Sequence, residues 1–323
     1  MKQLSTMQVI ALSQLDGVGA KTVMRICEAL KEQGMEIETA KEMHDFLVMA
    51  RSRKLVARLK EIAAEDVNRA YSVAKRIIED GAANGIFATS YLDDEYPQSL
   101  LKTVDEKGNE AVPVVMYYKG DISITQQPGI AVIGTREPTN EGERVGTLLA
   151  SRFAEQGFNI VSGLAVGCDT CGHLGALSAK GKTTAILAHG LTTVYPPQNE
   201  QLATRILENG GLLLSEYPIG TSLTTYNLVA RDRLQSGLSK ATLVIQTGRS
   251  GGTMHAVHST LAAQKPLYVV RYQDTATLAH EKTAGNEYLA QREAKYISET
   301  DDIAKIAARI KSAEPVRTSL FDF

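Results

Sequence analysis

The sequence predicts an α/β protein. A Rossmann-like, doubly wound, mostly parallel sheet follows a small N-terminal helical domain of helix-hairpin-helix (SAM-like) type. Three observations carry this reading. Six apolar runs, 130–133, 158–161, 183–188, 211–215, 241–246 and 266–271, recur along the chain and bracket helical patterns. The runs are nearly continuous in apolar residues rather than alternating, as parallel strands covered on both faces require. Before residue 83 the apolar positions follow helical spacing instead. The expected division is a helical domain over 1–83, a connecting hairpin over 84–128, a Rossmann-like domain over 129–311 and a tail over 312–323.

In chain order, Met7, Val9, Ile10, Leu12 and Leu15 form an apolar stripe, and Val23, Ile26 and Leu30 form a second. Gly17-Val18-Gly19 joins them as a helix hairpin, a device that can offer backbone N–H groups to a phosphate. Met43 to Ile78 reads as charged amphipathic helix. Residues 85–89 and 112–118 turn β-like, with Pro97 and Pro113 as punctuation, and Gln126 to Gly129 marks the boundary.

The first Rossmann-like stretch, Ile130 to Ala176, is the one the rest serves. Strand, glycine turn, helix and strand make a βαβ unit, with Asn140 and Glu143 at capping-box spacing before a helix over about 145–154. Ligands of such units bind outside the carboxyl ends of the strands. Those ends carry Gly134, Thr135 and Arg136, then Ser162 and Gly163. Glycine admits a ligand to the backbone, hydroxyls donate, and arginine presents a fork of donors to phosphate.

Ser250-Gly251-Gly252-Thr253 opens a helix after the fifth run and reads as a phosphate cradle. Arg231 and Arg233, interleaved with Tyr217 and Tyr226, suit a nucleic-acid backbone with stacked bases. Lys180 and Lys182 precede a strand and belong to the opposite sheet edge. Glu216 stands alone as a candidate acid, able equally to orient the arginines. Cys168-Asp169-Thr170-Cys171-Gly172-His173 lacks a second ligand pair, so the cysteines read as packing residues and no metal is expected. Asp169 is the expected N-cap of that helix. The G-x-G-x-x-G fingerprint is missing after 130–133, which argues against a routine NAD enzyme; no cofactor and no catalytic residue is expected.

Composition adds bounds. The 323 residues carry a formal net charge of −2. Residues 1–128 hold 16 basic and 19 acidic side chains, 129–273 hold 12 and 9, and 274–323 hold 7 and 9. Only the central region is net basic, so a polyanion site must be a focused patch. Three cysteines make no disulfide framework, and neither a signal peptide nor a membrane-spanning run is expected. A cytoplasmic protein is expected.

Taken together, these motifs resemble the DprA/Smf family of DNA-processing proteins of bacterial natural transformation. The resemblance rests on Val132 to Arg136, Ser162 to Ala165 with Gly167, Asp169 and His173, Ser215 to Pro218, Arg231 to Leu238, Ser250 to Ala256, and Gly285 to Leu289. Tyr96 to Leu100 and the Gly17-Val18-Gly19 hairpin also match. It implies single-stranded DNA binding, a homodimer and help in loading the RecA recombinase. It places the DNA pocket on Gly134, Thr135, Arg136, Ser162, Gly163, Arg231 and Gly251.

The family's Phe-Pro-x-Arg-Asn-Arg becomes Leu228-Val229-Ala230-Arg231-Asp232-Arg233 here, so a stacking Phe is lost and an acid joins the expected phosphate track. The winged-helix domain that ends many members is not expected in this stretch of chain. An alternative reading is a Rossmann-like nucleotide-binding sensor in a phage-defence or mobile-element setting. A phosphoribohydrolase-like enzyme is disfavoured, because Ala256 replaces the Glu that such a site needs. The tail's Ser319-Leu320-Phe321 is similar to a motif that docks on the replication sliding clamp.

Overall fold

A computed structural model describes residues 4–313. The sliding-clamp motif of the tail lies outside the described residues. The chain divides into two compact units, Met1–Tyr96 with Val112–Tyr117, and Pro97–Ala111 with Tyr118–Phe323.

In the first unit, α1 (Thr6–Ser13) starts from a capping box between Ser5 and Gln8. Gly17, at φ +73°, turns the chain into α2 (Ala20–Gln33), a left-handed position that suits glycine. α3 (Ala40–Ser52) and α4 (Ala64–Ala83) follow. The single helix expected from Met43 to Ile78 is therefore two. The break comes where Lys54 turns to positive φ and the Leu55 N–H closes on Ala50 O at 2.8 Å, with Arg58 again at positive φ. Val9, Ile10, Val23, Ile26, Met43 and Phe46 are all fully buried, so the stripes do form one core. β1 (Phe87–Ser90) and β2 (Val115–Gly120) supply the β character expected of 84–128.

The second unit alternates β3 (Gly129–Ile133), α5 (Asn140–Glu155), β4 (Asn159–Ser162), α6 (Cys168–Ser178), β5 (Thr183–Leu187), α7 (Glu200–Glu208) and β6 (Leu212–Ser215). It continues through α8 (Thr225–Gly237), β7 (Ala241–Val244), α9 (Thr253–Ala262), β8 (Leu267–Val270), α10 (Thr275–Leu278), α11 (Ala284–Ala290), β9 (Lys295–Ile297) and α12 (Ile303–Ser312). These strands lie in the order β6-β5-β4-β3-β7-β8-β9 and every neighbouring pair is parallel. All six expected strands are present. β9 escapes a pattern search because two of its three residues are exposed.

β3 shows why the runs are continuous. Ile130 and Val132 pack with Val145, Leu149 and Phe153 of α5 on one face. Ala131 and Ile133 pack with Met254 and Val257 of α9 on the other. Two caps differ from expectation. Thr139, not Asn140, caps α5, because its hydroxyl accepts from the Gly142 N–H at 3.1 Å. Gly167, at φ +82°, is the N-cap of α6, which leaves Asp169 inside the first turn. Among the described residues no helix is long and apolar enough to cross a membrane.

The order runs outward from β3 to β6 on one side, then restarts at β7 on the other. The carboxyl ends of β3 and β7 thus flank the switch point, where open α/β sheets bind ligands.

Candidate functional site

The switch point itself is closed. Gln246, fully buried just after β7, accepts the Thr135 N–H on its backbone oxygen at 2.7 Å. Its side chain exchanges two hydrogen bonds with Thr139, at 2.8 and 2.9 Å. A Cβ on Gly134 would come within 2.5 Å of Cys168 Sγ and 2.7 Å of Gln246 O. Gly134 therefore makes room for protein, and the cysteine reads as a packing residue. The opening moves sideways, over the ends of β4 and β5. There a cavity of about 340 Å³ is lined by Arg136, Gly163, Leu187, His189, Tyr195 and Arg231, among others.

Its floor is built around Arg231 on α8. The side chain is 7% exposed. Nη1 donates to Gly163 O at 2.9 Å and also to Ile186 O, and Nε meets Asp232 Oδ1 at 3.1 Å. A Cβ at position 163 would lie 2.2 Å from that Nη1, so only glycine lets the guanidinium cross the end of β4. From the other side, Asp169 Oδ2 accepts the N–H groups of Gly163 and Ala165 at 3.0 and 3.2 Å. Burial pushes the Asp169 carboxyl up to about 6, against the opposing pull of Arg231. Asp169 thus fastens the loop after β4 rather than capping its own helix.

The expected arginine track separates. Arg233 donates from Nη2 to both oxygens of Glu216 at 2.7 and 2.8 Å, from Nε to Ala111 O and from Nη1 to Ala230 O. It is a structural clamp that does not line the cavity. Glu216 is the partner of that clamp, and Asp232 accepts from Arg231 and Gln235. The acid at 232 holds Arg231 in place and does not oppose a ligand from within a track.

Ser162 is fully buried, and its hydroxyl donates to Val132 O at 2.6 Å. Thr135 is half-buried; its hydroxyl accepts from the Glu137 N–H. Arg136 is exposed, and no described carboxylate pairs with it. Ser250, Gly251 and Gly252 are exposed, and Gly252 is the N-cap of α9. A Cβ on Gly251 or Gly252 would meet nothing within 4 Å, so close strand–helix packing is not what these glycines serve. Ala256 is buried in the core beneath.

His173 is fully buried with Nδ1 2.7 Å from Thr183 Oγ1. That hydroxyl donates onward to Ile160 O, so it accepts from His173. Burial lowers the imidazole to about 3 and keeps it neutral. Among the described residues no three metal-ligating side chains gather.

The structure therefore joins Arg136, Gly163 and Arg231 in one cavity and adds residues outside the expected set. Tyr195, 43% exposed, and Leu228 supply aromatic and apolar wall. His189 and Tyr195 both lie in the loop after β5, and a position at a strand's carboxyl end was the available signal. Tyr226, 79% exposed, stands at the start of α8.

Comparison with known proteins adds a second line of observation. The family model for DNA recombination-mediator protein A matches residues 87–308. Protein Smf of Synechocystis sp. is 39% identical over 166 residues, which span 50% of this chain but only 40% of that protein. The X-ray structure of DNA processing protein A from Streptococcus pneumoniae superposes with a TM-score of 0.72 at 22% identity, covering 92% of this chain and 95% of that one. DNA processing protein A from Helicobacter pylori, whose structure was solved to explain its single-stranded DNA binding mode, gives a TM-score of 0.57 at 26% identity. That match covers 70% of this chain and 95% of the other.

Proposed function

This chain belongs to the DNA recombination-mediator protein A family, and on that premise we propose that it binds single-stranded DNA at the cavity over β4 and β5. The observation that carries the reading is Arg136, exposed, paired with no described carboxylate, and lining a cavity that is walled by Tyr195 and Leu228 and floored by Arg231. The cation meets a phosphate, the walls meet a base, and the floor is too heavily hydrogen-bonded to move. The relative from Helicobacter pylori, which binds single-stranded DNA, supports the same ligand class. A homodimer that helps to load RecA on the bound strand is the fuller form of this proposal. We assign no catalytic residue: Ala256 offers no acid, and Glu216 is held by Arg233.

Arg136→Ala is expected to weaken binding of a single-stranded oligonucleotide by roughly 1.5–3 kcal/mol, the range of a lost charge-assisted contact. Arg233→Ala, which removes an internal clamp, is expected to lower the melting temperature and leave the affinity of the folded fraction near wild type. Fluorescence anisotropy at matched salt reads both. Equal losses from the two substitutions, or none from Arg136→Ala, would remove Arg136 from the site.

The cavity volume favours one second reading. At about 340 Å³ it is near the lower end of ligand pockets, about 300–1,000 Å³, and suits a single nucleotide. Titration with mononucleotides and cyclic nucleotides beside the oligonucleotide separates a sensor from a strand binder.

A further inference from the structure

We propose that the bound strand continues past the cavity, across the switch point, to a second contact: a groove over the ends of β8 and β9 in which Arg271 meets a phosphodiester. The inference rests on the single-strand reading and deepens it.

The groove is a cavity of about 1040 Å³ lined by Arg249, Arg271, Asn286, Glu287, Tyr296 and Ser298, among others. Arg271 directly follows β8 and Ser298 directly follows β9. The groove therefore opens on the carboxyl edge, where sheets of this kind take their ligands. It is larger than the roughly 300–1,000 Å³ of small-molecule pockets, so it suits a chain in passage better than an enclosed small ligand.

Its floor is fixed by Asn286, 3% exposed. Asn286 Oδ1 accepts the Thr247 N–H at 3.0 Å, and Nδ2 donates to Ile245 O at 2.7 Å and to Val270 O at 3.1 Å. One amide thus ties the ends of β7 and β8 together, with both of its hydrogens in use. The walls keep their charge. Arg249 and Arg271 are exposed, and neither forms an ion pair among the described residues. The Tyr296 ring backs the Arg271 guanidinium, whose carbon lies 5.4 Å from the ring centroid. Glu287 is the one acid in the lining, and its carboxylate accepts from Tyr296 OH and from Gln291 Nε2 at 2.8 Å. Two cations against one hydrogen-bonded carboxylate leave the groove net positive.

The sheet order says which anion fits. Arg136 follows β3, Arg249 follows β7 and Arg271 follows β8, and these three strands are parallel neighbours in that order. Adjacent strands lie about 4.8 Å apart, so the three arginines succeed one another across the edge. Far apart in sequence, they form a row only in the folded sheet. A row of separate cations complements a chain of separate phosphates rather than one anion. Single strands are held in this way, by a positive groove that tracks the backbone.

The test is anisotropy titration of the full chain with dT20 at several salt concentrations. Arg271→Gln is expected to weaken binding about tenfold, the low end for a lost charge-assisted contact. It should also make the plot of log affinity against log salt shallower by about 0.7, one phosphate on a single strand. Arg271→Lys keeps the cation and should keep the slope. Lys180→Gln, exposed at the opposite edge, removes the same charge from the molecule and should bind as wild type does. Equal affinities for Arg271→Gln and Lys180→Gln overturn the proposal, as does a loss in Arg271→Gln with an unchanged slope. Binding that weakens in Arg136→Ala but not in Arg271→Gln sinks this inference alone. No binding of dT20 by wild type sinks the single-strand reading and this inference with it.

Discussion

Arg231 and Arg233 stand two positions apart on α8, and a helix turns about 200° over that interval. One arginine therefore floors the cavity while the other clamps Glu216 on a different face. Read as a linear string, Arg-Asp-Arg resembles a phosphate track; read at helical pitch, it divides. The buried histidine nearby permits a sharp test. His173 has its imidazole lowered to about 3 in the folded chain, against about 6.5 when unfolded. Below pH 6.5 the unfolded chain takes up a proton that the folded chain refuses, so stability falls as the pH drops towards 3. Asp169, raised to about 6, works in the opposite direction between about pH 6 and 4, because the folded chain binds its proton first. A variant isolates the histidine. His173→Asn retains a group that can reach Thr183 but does not titrate. Between pH 7 and 4.5 wild type should lose about 2–3 kcal/mol more than the variant in urea unfolding. Parallel profiles would mean that His173 is protonated or solvated in the folded state.

At the scale of elements, much is legible in the sequence. The six apolar runs are strands, the glycine turns follow the expected strands, and the two-faced burial of β3 explains why its run does not alternate. What was not legible is how the loops fill. Gln246 closes the switch point, yet a glutamine at the end of an apolar run looks in sequence like any polar strand terminus. Asp169 looked like a cap because it precedes a helical pattern; Gly167 takes that role and frees the carboxylate to hold the loop after β4. Two glycines separate these effects. Gly163→Ala would drive a methyl to 2.2 Å from Arg231 Nη1 and must displace the guanidinium or the strand end. Overpacking of this kind costs about 1–3 kcal/mol, so both the melting temperature and oligonucleotide affinity should fall. Gly252→Ala meets open space at an ordinary helical φ of −58° and should leave the melting temperature unchanged or raised. A Gly163→Ala protein as stable as wild type would show that the β4–Arg231 contact is not rigid.

For the whole molecule, the question is how strongly so nearly neutral a chain can hold a polyanion. Net charge is −2, and the basic excess lies in 129–273. Within that excess the structure withdraws several charges. Arg231 and Arg233 are held by backbone and carboxylate partners, half-buried Lys265 donates to Ser236 O and Gly237 O, and Lys182 bonds Asn209 O at the opposite edge of the sheet. At the carboxyl edge Arg136, Arg249 and Arg271 remain exposed, Arg271 lying over the Tyr296 ring. Each phosphate neutralised on a single strand contributes a slope of about −0.7 to the plot of log affinity against log salt. Contacts from Arg136 and Arg249 alone thus give a slope near −1.4 per protomer, whereas a continuous track that also used Arg231 and Arg233 would approach −2.8. A shallow slope would leave base contacts, through Tyr195 and the apolar wall, as the main source of affinity, and would make binding persist in salt. Anisotropy titrations between 50 and 300 mM salt would measure it. A slope steeper than about −3 per protomer would show that the strand runs over basic groups away from this edge, and the cavity-centred reading would fail.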